Sequence, residues 1–200
     1  DLENTYFQLE KLRANSIRFV QFEAQLVTRN THFVPTLVSA AFINKFNDES
    51  CYLLQVYDLS ERKRYESQLI KLAHYDTLTG LGNRAKLNQE IEFLIQKSHR
   101  TAAPFAVLFG DADHFKQIND GLGHEAGDQL LKIIARRLQK SLRHEDSVCR
   151  LGGDEFVILL QDVTKFEAVV AVADKLIKKI KKPVKLGANR VHIGMSFGIA

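Results

Sequence analysis

The sequence predicts a two-part protein whose larger part is an α/β or α+β sheet with helices packed against it. Three observations carry that expectation. Strand-like and helical stretches alternate from Asp76 onward, the stretch before Ser60 is mostly strand-like, and Phe156, Val157, Ile158, Leu159 and Leu160 form an apolar run suited to burial on both faces. With 200 residues and 45% hydrophobic content, the chain is long enough for one ordinary domain plus a fragment of another.

Residues 1 to about 15 carry Leu2, Phe7, Leu9 and Leu12 in a weakly helical pattern. RFVQFEAQLV and HFVPTLVSAAFI then alternate in the manner of half-buried strands, NDES reads as a turn, and CYLLQVYDL is a third strand. Three successive antiparallel strands are expected. Ser60 is placed to cap a helix through ERKRYESQLIKLAHY, where Tyr65, Leu69 and Leu72 recur at i, i+4 and i+7. That narrow stripe suits two uses equally: pairing with its copy as a short coiled coil, or packing on its own domain.

From Asp76 the order is a loop DTLTGLGN, a helix from about Arg84 to Ser98, the strand PFAVLFGD, a short helix after His114 and a long one from about Glu125 to Leu142. A Gly-Gly hairpin, the strand EFVILL, a helix through Lys181 and a final strand within VHIGMSFGIA follow. In KLIKKIKKP the apolar Leu176, Ile177 and Ile180 mark one helix face and leave the lysines to solvent.

Composition narrows the function classes. The net charge of +4 is mild and the acids are interleaved with the bases, which favours an anionic small ligand at least as much as a nucleic acid, and the lack of a nucleic-acid-sized basic surface argues against the latter. Cys51 and Cys149 are far apart with no CxxC, so a reducing compartment fits best. No apolar run reaches the roughly 18 residues of a membrane span. A cytoplasmic location is expected, with a membrane tether upstream left open. The chain starts at Asp1 and stops inside a strand, so it is expected to be a piece of something longer.

The chemistry gathers in two acidic clusters. Gly152 and Gly153 supply a tight turn with an open face, and Asp154 and Glu155 stand at its edge. By itself this is an ordinary hairpin with two solvated acids. The strand FAVLFGDADHFK ends in Asp111 and Asp113, read as pointing one to each face. If the two strands are neighbours, their carboxylates repel unless a cation lies between them, and hard oxygen ligands suit Mg²⁺, with Mn²⁺ as an alternative. FKQINDGLGHEAGD reads as a loop between a short and a long helix, placing Lys116, Asn119, His124 and Asp128 around two glycines. An Asp accepts from the ring N–H and amino group of guanine while an Asn meets the acceptor side, and Lys116 is a candidate phosphate contact. Taken singly, Asn119 reads as a helix stop, Asp128 as a helix N-terminal charge and His124 as a turn residue.

GGDEF at 152–156, DADHFKQIND at 111–120, GHEAGD at 123–128 and DTLTGLGNR at 76–84 together resemble the GGDEF domain of diguanylate cyclases. The segment from FEAQLVTRN to YDLSERKRYE resembles the C-terminal half of a PAS sensor domain. The resemblance implies three parts: a PAS-like piece over 1–59, a linker helix over 60–75, and a GGDEF domain over 76–200. It implies an α+β, palm-like fold of the adenylyl cyclase and ferredoxin-like kind, with an antiparallel-centred sheet and flanking helices. It further implies that two such domains meet as a homodimer and condense two GTP into cyclic di-GMP, releasing pyrophosphate.

By the same resemblance, Asp111, the backbone carbonyl of Ala112 and Asp154 would hold Mg²⁺ with Glu155 close by. Asp154 or Glu155 would be the base for the 3′-hydroxyl. Asn119, His124 and Asp128 would contact the nucleotide, and Gly152 and Gly153 would clear room for its triphosphate. Arg143 and Asp146 stand at the spacing of the family's RxxD inhibitory site and would bind the product. Gly110, Ala112 and Gly82 depart from the family's usual residues, and its final helix and strand, with phosphate-contacting basic residues, are expected after Ala200. Two other classes stay open: a non-catalytic cyclic di-GMP receptor, and a dimerisation module for a downstream output domain.

Overall fold

The structure, a computed structural model, describes residues 10–12, 18–46 and 49–200. The chain divides into two compact units after Leu69. In the first, β1 (Phe19–Val27), β2 (Phe33–Phe46) and β3 (Glu49–Asp58) form an antiparallel sheet in the order β1-β2-β3, matching the three expected strands. Val38 and Ala40 of the central strand are buried, and Thr36 Oγ1 donates to the Ala24 carbonyl at 3.0 Å. On β3, however, Leu53 and Leu54 point to opposite faces and are both more than half exposed, so this strand is not half-buried. Residues 10–12 are helical, while Leu2, Phe7 and Leu9 of the expected helical pattern lie outside the described residues. So do Asn47 and Asp48 of the expected turn, whose Glu49 and Ser50 already belong to β3.

Helix α1 (Ser60–His74) crosses the division between the units. Asp58 takes the capping part expected of Ser60: its carboxylate accepts from the Ser60 N–H at 2.7 Å, because Ser60 is already the first helical residue. No residue of α1 is buried, and Tyr65, Leu69 and Leu72 are all exposed, so nothing among the described residues covers the stripe.

The second unit holds α2 (Arg84–Thr101), β4 (Phe105–Asp113), α3 (Phe115–Leu122), α4 (His124–Gln139), β5 (Ser147–Gly152) and β6 (Glu155–Gln161). It continues through α5 (Phe166–Ile180), β7 (Val184–Leu186), β8 (Asn189–Val191) and β9 (Gly194–Ile199). The main sheet runs β5-β6-β4-β9 with every ladder antiparallel, which decides for α+β. Because strand side chains alternate, β6 feeds two cores. Phe156, Ile158 and Leu160 pack with Leu130, Ile134 and Leu138 of α4 and Leu176 and Ile180 of α5. Val157 and Leu159 pack on the other face with Leu87 and Leu94 of α2. All five β6 residues are essentially solvent-free, each contributing roughly 1.5–3 kcal/mol of burial.

Several boundaries differ from the sequence pattern. Helix α4 stops at Gln139 rather than Leu142, where the Ser141 hydroxyl donates to the Arg137 carbonyl and Ser141 N–H to that of Leu138. Helix α2 runs on to Thr101 and ends at Ala102, whose φ of 53° closes the last turn. The terminal segment is not one strand, since β8 ends at Val191 and β9 starts at Gly194. Arg137 ties this region to α4 by donating to the carbonyls of Ile180 and Pro183.

Two unusual glycines have packing causes. A Cβ on Gly82 would lie 2.7 Å from Cys149 Sγ, where the loop before α2 bridges to β5. A Cβ on Gly110 would lie 2.6 Å from Cε1 of Phe197, whose ring fills the space beside β4. Gly110→Leu is therefore expected to destabilise the unit by about 1–3 kcal/mol through overpacking. Urea unfolding checks this, and adding Phe197→Ala should restore part of the loss.

Candidate active site

The acidic end of the sheet is built by register. Asp111 of β4 stands directly opposite Glu155 of β6, and the Ala112 N–H donates to the Asp154 carbonyl at 3.3 Å. Asp111 and Asp113 do not point to opposite faces as expected. Residues two apart on a strand share a face, and the buried Ala112 between them takes the other. Asp113 is held by the Ser196 hydroxyl of β9 at 2.7 Å. Burial pushes the Asp111 carboxyl above its ordinary range, and the charges of Asp154, Asp113 and Glu155 push it further.

The hairpin turn supplies openness. Gly152 and Gly153 have φ of 150° and 50°, which favour glycine, and a Cβ at either would meet nothing within 4 Å. The turn is held from beneath by Arg150, which the sequence reading missed. Its Nε and Nη2 donate to the Gly153 carbonyl at 2.9 and 2.7 Å, and its Nη1 reaches both oxygens of Asp76 at 2.9 and 3.0 Å. Burial raises the Asp76 carboxyl, but hydrogen bonds from Thr79 and Arg150 outweigh it and hold the group below its ordinary value of 3.8. Asp76 opens the DTLTGLGNR motif and Arg150 stands two residues before the glycines, but nothing in their spacing shows that they meet.

FKQINDGLGHEAGD is not a loop. It is two helices that meet at Gly123, whose φ of 85° permits the sharp change of direction. Lys116 lies in the first turn of α3 and is exposed, just beyond the acidic end of β4. Asn119 lies one turn later, and its Oδ1 is buried without a hydrogen-bond partner. His124 and Asp128 are exposed at the start of α4.

Arg143 and Asp146 sit elsewhere, in the loop between α4 and β5 and not on a helix. The Asp146 carboxylate accepts from the Arg143 N–H at 3.1 Å and from the Gln161 N–H, at the far end of β6, at 3.2 Å. Since β6 rises about 3.3 Å per residue, that loop lies about 20 Å along the strand from Glu155. The exposed Arg143 guanidinium is 3.9 Å from Glu145. Cys149 is free and buried, its thiol pushed up to about 12 mainly by burial.

Among the described residues, no three His, Cys, Asp or Glu side chains converge closely enough to hold an ion by themselves. The acidic end still fits a hard cation of the Mg²⁺ kind, which takes one or two carboxylates and completes its shell with phosphate oxygens and water. The register that sets Asp111 opposite Glu155, with Asp154 beside them through its carbonyl on the Ala112 N–H, is the observation that favours it. No described helix is long and apolar enough to cross a membrane.

A family model described as diguanylate cyclase, GGDEF domain, matches residues 73–200. The chain is 43% identical over 137 residues to the bifunctional diguanylate cyclase/cyclic di-GMP phosphodiesterase MucR of Pseudomonas aeruginosa, covering 68% of this chain and 20% of that protein. It is 39% identical over 135 residues to the diguanylate cyclase TpbB of the same species, covering 67% of this chain and 31% of that protein. It is also 37% identical over 142 residues to the cyclic di-GMP phosphodiesterase NbdA, again of Pseudomonas aeruginosa, covering 71% of this chain and 18% of that protein. The chain thus spans less than a third of these curated relatives. Among solved structures, the TpbB GGDEF domain superposes with a TM-score of 0.61 at 39% identity, covering 63% of this chain and 74% of that one. A sensory box/GGDEF family protein of Caulobacter crescentus gives 0.61 at 38%, covering 64% and 83%. With three motifs on the acidic hairpin and the helix pair, the fourth tied to that hairpin through Asp76 and Arg150, and a family match over residues 73–200, the chain belongs to the GGDEF-domain diguanylate cyclase family.

Proposed function

We propose that this chain supplies one half-site of a diguanylate cyclase, which joins two GTP into cyclic di-GMP at the interface of two GGDEF domains. The observation that carries this reading is the register of Asp111 against Glu155, with Asp154 at the open Gly-Gly turn beside them. The 3′-hydroxyl of one nucleotide attacks the α-phosphorus of the other, pyrophosphate leaves, and the hydroxyl proton passes to Asp154 or Glu155. A second, symmetric step closes the ring. Asp111, the Ala112 carbonyl and Asp154 would hold Mg²⁺, which when bound neutralises charge on the triphosphate and the leaving pyrophosphate. The open Gly152-Gly153 face gives the phosphates room, and Lys116 at the start of α3 adds a positive charge near them. Asn119, His124 and Asp128 face the base and sugar side of the nucleotide.

Residues 1–59 act in this reading as the PAS-like sensor piece, 60–75 as the linker helix and 76–200 as the catalytic domain. Incubating the full-length protein with GTP and Mg²⁺ and separating the nucleotides by chromatography tests the activity. Cyclic di-GMP in the products is expected, and its absence at any protein concentration sinks the reading.

Arg143 and Asp146 form the product-inhibition site in the same proposal. Its distance from the acids lets product bind without entering the active site, and the exposed guanidinium, with only a long contact to Glu145, can fork onto a phosphate or guanine edge. Arg143→Ala is expected to leave initial synthesis within about twofold while relieving inhibition by added cyclic di-GMP about tenfold or more, the loss of a charge-assisted contact. Dose–response curves with added product check it.

A further inference from the structure

Gly127 is the fourth residue of α4 and is buried, and its φ is not one that requires glycine. Inside a helix, glycine costs about 0.5–1 kcal/mol relative to alanine, so its presence needs another cause. The cause is visible across the α3–α4 joint. A Cβ on Gly127 would overlap Asn119 Oδ1 and lie 2.9 Å from its Cγ and 3.2 Å from Phe115 Cζ. The Asn119 carboxamide therefore occupies the notch that the missing Cβ leaves.

Among the described residues, neither end of that amide has a hydrogen-bond partner. Oδ1 is buried without a partner, an arrangement that costs about 1–3 kcal/mol. Nδ2 makes no hydrogen bond and is not among the buried unpartnered atoms, so it reaches the surface. An amide held by hydrogen bonds would keep its place without the notch, whereas this one is held by shape. Asp128, the residue after Gly127, sets a carboxylate acceptor on the same turn of helix as the notch.

We propose that Gly127 is a specificity-determining positioning residue: its bare Cα is the notch that holds the Asn119 amide with its NH₂ outward beside Asp128. The donor of Asn119 and the acceptor of Asp128 then match the edge of guanine, which carries both an acceptor oxygen and a pair of donors, and mismatch adenine. This rests on the guanine-binding reading given above. It adds that the selection depends on a residue with no side chain and no contact to the base.

The test measures equilibrium binding of α,β-methylene GTP and α,β-methylene ATP, which resist cleavage at the bond this reaction breaks, to the full-length protein. Wild type, Gly127→Ala, Asn119→Ala and the double variant are compared. Gly127→Ala is expected to lower the preference for the guanine nucleotide about tenfold or more, with the double variant no worse than Asn119→Ala, because both act through one amide. A general folding defect would weaken both nucleotides alike and leave their ratio unchanged. Undiminished preference in Gly127→Ala overturns the proposal, as do additive losses in the double variant. If Gly127→Ala does not fold, the double variant, freed of the clash, carries the comparison: wild-type preference there also overturns it. Cyclic di-GMP synthesis is assayed separately, so a binding preference without synthesis would count against the cyclase reading and leave this inference standing.

Discussion

Replacing Asp154 with alanine is expected to abolish cyclic di-GMP synthesis, a fall of about a thousandfold or more, since a lost cation ligand removes several kcal/mol of charge stabilisation at the reacting phosphate. The fold should survive the change. The structure uses Asp154 through its backbone carbonyl, which accepts from the Ala112 N–H and which alanine keeps, while the side chain makes no hydrogen bond among the described residues. Unfolding free energy should therefore shift by less than about 1 kcal/mol. Product chromatography beside a urea titration separates the two effects. Near-normal synthesis in the variant would defeat the assignment of Asp154 to the cation, and collapse of the fold would show that the carboxylate has a structural partner.

The second large effect is expected from Arg150→Met. Methionine keeps much of the buried stem but removes the guanidinium, leaving the Gly153 carbonyl without its donors and the partly buried Asp76 carboxylate with Thr79 as donor but no counter-charge. Breaking a buried pair from one side typically costs about 3–5 kcal/mol, and the partial exposure of Asp76 brings the expected loss towards about 3 kcal/mol. Synthesis should fall as well, because the turn that carries Asp154 loses its support. The pH dependence has a definite sign. The Asp76 carboxyl is held below 3.8 in the folded state, so its contribution is present above that value and is lost as the pH falls through the depressed one. The wild type should lose this increment only in acid below about pH 4, whereas Arg150→Met lacks the Arg150 share of it already at pH 7 and keeps the share that Thr79 supplies. Equal stability of the two proteins at pH 7 would show that the pair does not hold the turn.

What was legible in the sequence followed from local pattern. The five apolar residues from Phe156 to Leu160 declared a strand buried on both sides, and the Gly-Gly step with two acids declared an open turn, because both signals sit within a dozen residues. What was not legible depends on contacts between distant segments. Asp76 and Arg150 are 74 positions apart, and no composition or periodicity rule joins them. The expected loop through FKQINDGLGHEAGD is instead a joint at Gly123, where a single residue with positive φ suffices to turn one helix into the next, and no local pattern shows that Gly127 beyond it meets Asn119. Gly110 departs from the family's usual residue for a reason that lies 87 positions later, where the ring of Phe197 fills the place. The parity of Asp111 and Asp113 was within reach of the sequence, since strand side chains alternate strictly, and it was misread.

The facing of Asp111 and Glu155 across the β4–β6 ladder has a thermodynamic corollary. Both acids are placed by backbone register, so they cannot move apart without breaking the ladder that buries Phe156 beside them. Burial first, and then the charges of Asp154, Asp113 and Glu155, raise the Asp111 carboxyl, so its ionised form works against the folded chain and that penalty eases as the pH falls through the raised value. A cation that binds these carboxylates in the folded chain and not in the unfolded one stabilises the fold, by an amount that rises with the logarithm of its concentration over its dissociation constant. Occupancy of the acidic end and melting of the domain are therefore two readings of one equilibrium, and a thermal scan across a cation titration measures both.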